Sequence, residues 1–178
     1  MLEFAIHHKE EVEKLYRLAV TRPNSLFYSM GVYMNFDPQI KPSTWEELQF
    51  VSLHKGKVIG YLACDVNRGA HAANHLRMIF LSEGNLHSAL FGIDCRKFFR
   101  KLFFEYNFNK VNWSVIIGNP AEKKYDAICS HLNGCVVGTK KKETRLTDGK
   151  LYDLKMYELH RVDLPTRYFK VSENKRVK

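Results

Sequence analysis

Residues 110–134 read KVNWSVIIGNPAEKKYDAICSHLNG, and the fold turns on this stretch. Its first part alternates Val111, Trp113, Val115 and Ile117 with Asn112 and Ser114. A period of two carried by β-branched and aromatic residues predicts a mostly buried strand. The strand stops at Gly118 and a helix start follows at once. Asn119 can cap with its side-chain oxygen, Pro120 suits the first helical position, and Glu122 completes a capping box. Ala121, Tyr125, Ile128, Cys129 and Leu132 then fall on one helical face, and Gly134 is the natural stop. A strand therefore feeds a capped helix with no long loop between them.

Upstream of this unit, residues 1–6 form an apolar opening that suits a short edge strand. From Lys9 to Thr21, Val12, Leu15, Tyr16 and Ala19 recur at helical spacing with charges opposite. Residues 25–34 are aromatic-rich and fit either a second short helix or a cover over one sheet face. Strand-like runs at 48–53 and 58–66 flank Lys55-Gly56, a hairpin turn. Gly60 inside the second run marks a bulge or a close backbone approach. A third run at 75–81 completes an antiparallel meander. A helix over 92–106 then crosses to the strand at 111–117, so these two strands should lie parallel. Downstream, a strand begins at 135–137. Asp148-Gly149 predicts a two-residue turn into the strand at 150–160.

With 178 residues and 45% hydrophobic content, one domain with a sizeable core is expected. No apolar run reaches the roughly 18 residues that cross a bilayer, and the opening MLEFAIHHKEEVEKL turns acidic too soon for a leader peptide. A reducing cytoplasm is the expected compartment. The four cysteines show no CxxC spacing and the eight histidines no HExxH, so no metal is argued. The net charge of +9 draws polyanions in general, whether nucleic acid or a phosphate-bearing cofactor, and does not choose between them.

The strand, then Asn119, then Tyr125-Asp126, then Gly134 resembles the last strand–helix unit of the GNAT family of N-acetyltransferases. GNPAEKKYD followed by DGKLYDLKMYEL resembles an unassigned phage- and Firmicute-type branch of it. The resemblance covers residues 1–162 and leaves 163–178 as a basic tail, expected to be partly disordered. It implies an α/β (α+β) architecture: a mixed, mostly antiparallel central sheet flanked by helices, the acyl-CoA N-acyltransferase (GNAT) fold. The implied cosubstrate is acetyl-CoA, with its pantetheine arm admitted where the 75–81 and 111–117 strands splay. Asn119 would bond the arm, and Tyr125 would be the general acid that protonates the departing thiolate. Phe80 and Leu81, closing the 75–81 strand, would lie at the thioester. Leu90, Phe91, Gly92 and Ile93, opening the crossover helix, would receive the pyrophosphate, with Arg96 and Lys97 as charge partners. The Asn-to-Tyr spacing is one residue shorter than the family's, and of its glycine-rich phosphate loop only Gly92 is near the right place.

Three functions follow in rank. The first is an N-acetyltransferase moving acetyl directly to a small-molecule or peptide amine, with Glu83, His75 or His87 as base. The second is an inactive CoA-binding or interaction protein on the same scaffold, and the third a nucleic-acid-binding module. No membrane partner is expected, and a homodimer is left open.

Overall fold

The computed structural model describes residues 1–22, 25–27, 38–42, 44–165 and 168. Strands β1 (Leu2–Phe4), β2 (Glu47–His54), β3 (Lys57–Asn67), β4 (Ala72–Phe80), β5 (Lys110–Ile116), β6 (Cys135–Arg145) and β7 (Leu151–His160) form one sheet. Its spatial order is β1-β2-β3-β4-β5-β7-β6. Every neighbouring pair is antiparallel except β4 and β5, which run parallel as the crossover order requires.

Helices cover both faces of the sheet. α1 (Lys9–Val20) buries Val12, Tyr16 and Ala19 against Val51, Leu53, Tyr61, Ala63 and Leu81. α2 (Asn85–Arg100) and α3 (Glu122–His131) lie on the other face. There Phe98, Phe99, Leu102 and Phe103 pack on Phe50, Leu62, Trp113 and Tyr157. Burying such side chains stabilises by about 1.5–3 kcal/mol each, which makes this layer the main apolar core.

Several boundaries differ from expectation. The crossover helix starts at Asn85 rather than at 92, because Gly84, with φ 88, turns the chain abruptly from β4 into helix. It ends in a π-helical turn, Lys101–Glu105. The third meander strand starts at Ala72 rather than 75. β6 is one long strand that shifts register between Val136 and Gly138 and again between Lys140 and Thr144. The hairpin after it needs residues 146–150, with Leu146 buried and bonded to Lys150 and Gly149, so it is not a two-residue turn. The Lys55-Gly56 turn is as expected, both residues having positive φ. Of the aromatic segment at 25–34 only a single turn, Ser25–Phe27, falls within the described residues. The disorder expected of the tail lies largely outside them.

Gly60 proves to be both a bulge and a close approach. The β2–β3 register slips beside it, and a Cβ there would sit 2.2 Å from the Phe91 ring. The absent side chain is what lets α2 lie flat on the sheet.

Candidate active site

The site is a fork in the sheet. β4 and β5 are paired only at Ala72–Lys110 and Ala73–Val111 and separate beyond. Two local features open the fork. First, the β3–β4 register jumps from Ala63–Arg77 to Asp65–Asn74, so His75 and Leu76 oppose the single residue Cys64. His75 takes the left-handed conformation, φ 50, which bends the strand as a bulge does. Second, the side chain of Asn112 stands where the ladder would continue. It accepts from the His75 N–H at 3.0 Å and donates to Asn74 Oδ1 at 2.7 Å. A carboxamide at this point of the strand satisfies the parted backbone and keeps it parted.

Tyr125 reaches across the open part from α3. Its hydroxyl donates to the Met78 carbonyl of β4 at 3.3 Å. Its ring meets Trp113 and Tyr157 edge-on, both at 6.4 Å, an arrangement aromatic quadrupoles favour. Because the Met78 carbonyl points into the fork, pleated alternation directs its N–H the same way, and that of Phe80 two residues on. Trp113 stacks on Tyr157 at 5.1 Å. Its Nε1 is the buried side-chain polar atom without a partner among the described residues.

The β5–α3 turn uses the expected polar residues but not as the expected helix cap: Ala121 precedes the first turn of α3, and no side chain caps it. Asn119 Oδ1 accepts from the Ala121 N–H at 2.9 Å, and the Glu122 carboxylate reaches back to the Gly118 N–H at 3.0 Å. α3 therefore begins at Glu122 and not at Pro120. Lys155 of β7 fixes its first turns through Asp126 at 2.6 Å and Glu122 at 3.4 Å. The Lys155 hydrogen bond holds the Asp126 carboxyl below the ordinary carboxylate range. Burial, and then the bond to Asp126, push the Tyr157 phenol up. Tyr125 thus sits beside a fixed charge pair.

At the N-terminus of α2 the backbone N–H groups of residues 85–87 lack an intrahelical acceptor by geometry, whereas Ser88 N–H bonds Gly84 O. Lys124 of α3 crosses to the Ser88 hydroxyl at 2.9 Å, placing an ammonium beside them. The expected phosphate residues are elsewhere. Leu90, Phe91, Gly92 and Ile93 occupy later turns of the helix, where N–H groups are consumed within it. Phe91 is buried against Phe80, ring centroids 5.7 Å apart, and Leu81 belongs to the core under α1. Arg96 and Lys97 lie further still, and Lys97 bonds Asp94. Asp94 itself is buried, held by Ser52 at 2.8 Å and by the Met1 amino group at 3.0 Å, away from the helix start.

Of the three candidate bases, Glu83 pairs with Arg22 and His87 with the Ser82 hydroxyl. His75 stands at the fork. Its Nδ1 is 2.9 Å from Asp65 Oδ2, and Arg77 joins Asp65 to Glu47. Sequence reasoning missed Asn112, Asp65 and Lys124. Only Asn112 left a signal there, as a polar residue amid Val111, Trp113 and Val115. No cluster of potential metal ligands occurs among the described residues, and no helix among them is long and apolar enough to cross a membrane.

The chain aligns over 96% of its length with 88% of Mycobacterium smegmatis RimJ in complex with CoA-disulfide, TM-score 0.69 at 16% identity. It aligns over 97% of its length with 98% of a mutant of the Vibrio cholerae spermidine N-acetyltransferase SpeG, TM-score 0.67 at 16% identity. Two further acetyltransferase structures match at TM-scores of 0.55 and 0.56, and of their lengths the chain spans 64% and 63%. No family model and no curated protein matches the sequence. The fold is that of the acyl-CoA N-acyltransferases.

Proposed function

We propose that this chain is an acetyl-CoA-dependent N-acetyltransferase that moves acetyl directly from the thioester to an amine. The observation that carries the reading is the β4–β5 fork bridged by the Tyr125 hydroxyl. A fork of this kind offers unpaired strand edges to a pantetheine arm, which is itself a chain of amides. Trp113 Nε1 is a buried donor that a pantetheine carbonyl would satisfy. The free N–H groups of residues 85–87 and the Lys124 ammonium suit the pyrophosphate. This moves the phosphates one to two turns back from Leu90–Ile93, while Asn119 and Tyr125 keep their assigned roles. The likeness to a phage- and Firmicute-type branch belongs to the same proposal.

In this reading the two faces of the sheet have separate tasks. Tyr125 approaches from the α2–α3 face. His75 and its partner Asp65 alternate with the core residues of that face and so look toward the other one. The amine nitrogen attacks the carbonyl carbon from the His75 side, and its proton passes to His75, oriented by Asp65. The Met78 N–H donates to the carbonyl oxygen as charge builds there. As the C–S bond breaks, Tyr125 turns its O–H from the Met78 carbonyl to the sulfur and gives up the proton, which it regains from solvent. Glu47 and Asp65 beside the fork are already bonded to Arg77 and His75. That favours a monobasic amine over a polycation.

Calorimetry and thermal shift with acetyl-CoA test the reading directly. Saturable binding that raises the melting temperature supports it. Absence of binding removes it, and binding without turnover on any amine would leave a scaffold of the inactive kind.

A further inference from the structure

A cavity of about 540 Å³ opens past the paired, closed end of the fork. Its walls are Phe4, Trp45, Leu48, Val66, Tyr106 and Phe108. It borders the start of β4, whereas Tyr125 meets β4 at Met78, about 20 Å further along at strand rise. Pockets of this size, apolar with a few polar groups at the rim, are the usual form of small-molecule sites.

Two kinds of observation single it out. The first is backbone geometry. The π-helical turn Lys101–Glu105 delivers Tyr106 to one wall, and Asn107 follows with φ 58. On the opposite wall His71 has φ 48, and its carbonyl accepts from Asn109 N–H at 2.7 Å, tying the two walls together. Both π-turns and left-handed non-glycine residues gather at ligand sites because ordinary sequences avoid them.

The second is charge. Trp45 is 75% exposed, which leaves a large ring in water at the mouth. The Arg68 guanidinium lies over that ring, 4.4 Å from its centre. Arg68 and His71 belong to the lining, no carboxylate does, and neither pairs with an acid among the described residues. Arg68 Nε donates to the Trp45 carbonyl at 3.3 Å, and a guanidinium so held beside an aromatic box, with no carboxylate on it among the described residues, selects a flat ring that carries a negative charge.

We propose that this pocket is a binding site, separate from the acetyl-transfer fork, for a planar aromatic anion, an aryl carboxylate or aryl phosphate. The ring enters between Trp45 and the Tyr106–Phe108 pair, and the anion meets Arg68 at the rim.

The test is calorimetric titration of the full chain with three probes sharing one ring: 2-naphthoate, 2-naphthyl phosphate and 2-naphthylmethylammonium. Saturable binding of either anion and not of the ammonium is expected, and the tighter anion identifies the charged group. Arg68→Gln and Trp45→Ala should each weaken binding by about tenfold or more, from loss of a charged hydrogen bond and of stacking respectively. Both positions are exposed, so unchanged melting temperatures will confirm that the variants fold. No saturation by either anion at millimolar concentration overturns the proposal. So does equal binding of the ammonium, or affinity unaltered in both variants.

Discussion

The backbone N–H of His75 donates to the side chain of Asn112 at 3.0 Å, at the point where β4 and β5 part. One carboxamide thus replaces a rung of the ladder and ends it. Asn112→Ala leaves that N–H without its partner and should cost about 1 kcal/mol of stability. Amide exchange at His75 should accelerate while exchange at Val111 stays slow. Equal protection of His75 in both proteins would mean the fork does not depend on this side chain.

Tyr125→Phe removes a hydroxyl and keeps the edge-on packing against Trp113 and Tyr157. With an accepted amine in hand, kcat should fall by about 10² to 10⁴, while stability changes by about 1 kcal/mol or less. A kcat within a few-fold of native would reduce Tyr125 to a packing residue.

Two substitutions in α2 separate the two possible seats of the phosphates. Ser88→Glu puts a negative charge beside the free N–H groups and Lys124, and should weaken acetyl-CoA binding strongly. Gly92→Ala meets open space at a helix-interior position. It should stabilise the fold by about 0.5–1 kcal/mol and leave affinity alone. The reverse result, Gly92→Ala abolishing binding, would return the pyrophosphate to Leu90–Ile93.

Gly60→Ala should destabilise by about 1–3 kcal/mol, because its methyl collides with the Phe91 ring. Adding Phe91→Leu should recover part of the loss. In denaturant melts the pair must therefore be non-additive. Additive losses would place the strain elsewhere.

Burial raises the Asp94 carboxyl, but hydrogen bonds from Lys97, the Met1 amino group and Ser52 outweigh it and hold it below the ordinary carboxylate range. A depressed folded value means stability that is present above the unfolded pKa and is lost as pH falls through the folded one. Unfolding free energy should therefore decline below about pH 4. Asp94→Asn should flatten that part of the decline and lower stability at neutral pH by about 1–3 kcal/mol. Identical acid limbs for the two proteins would contradict this.

The sheet was legible from residues 110–134 outward because alternation and helical spacing are local signals. The parallel β4–β5 pair followed from chain order alone, and the Lys55-Gly56 turn from its residue types. What escaped depended on contacts distant in sequence. Nothing near Gly84 says that a helix begins there rather than at Gly92, since Asn85, His87 and Ser88 are poor helix formers held by the turn geometry. The β6–β7 connection looked like a two-residue turn because Asp148-Gly149 is a strong local signal, yet burying Leu146 lengthened it. At the candidate site, Tyr125 and Asn119 belong to one local strand–turn–helix pattern, whereas Asp65 joins His75 only through the β3–β4 bulge.

Because only two rungs join β4 to β5, the seven strands behave as two leaves, of four and three strands, with a seam between them. Backbone bonds contribute little across that seam. Its cohesion comes from Phe98, Phe99, Leu102 and Phe103, which span it to Trp113 and Tyr157. The integrity of the sheet therefore rests at its middle on rings, and the amphipathic face of one helix acts as the spine of the book.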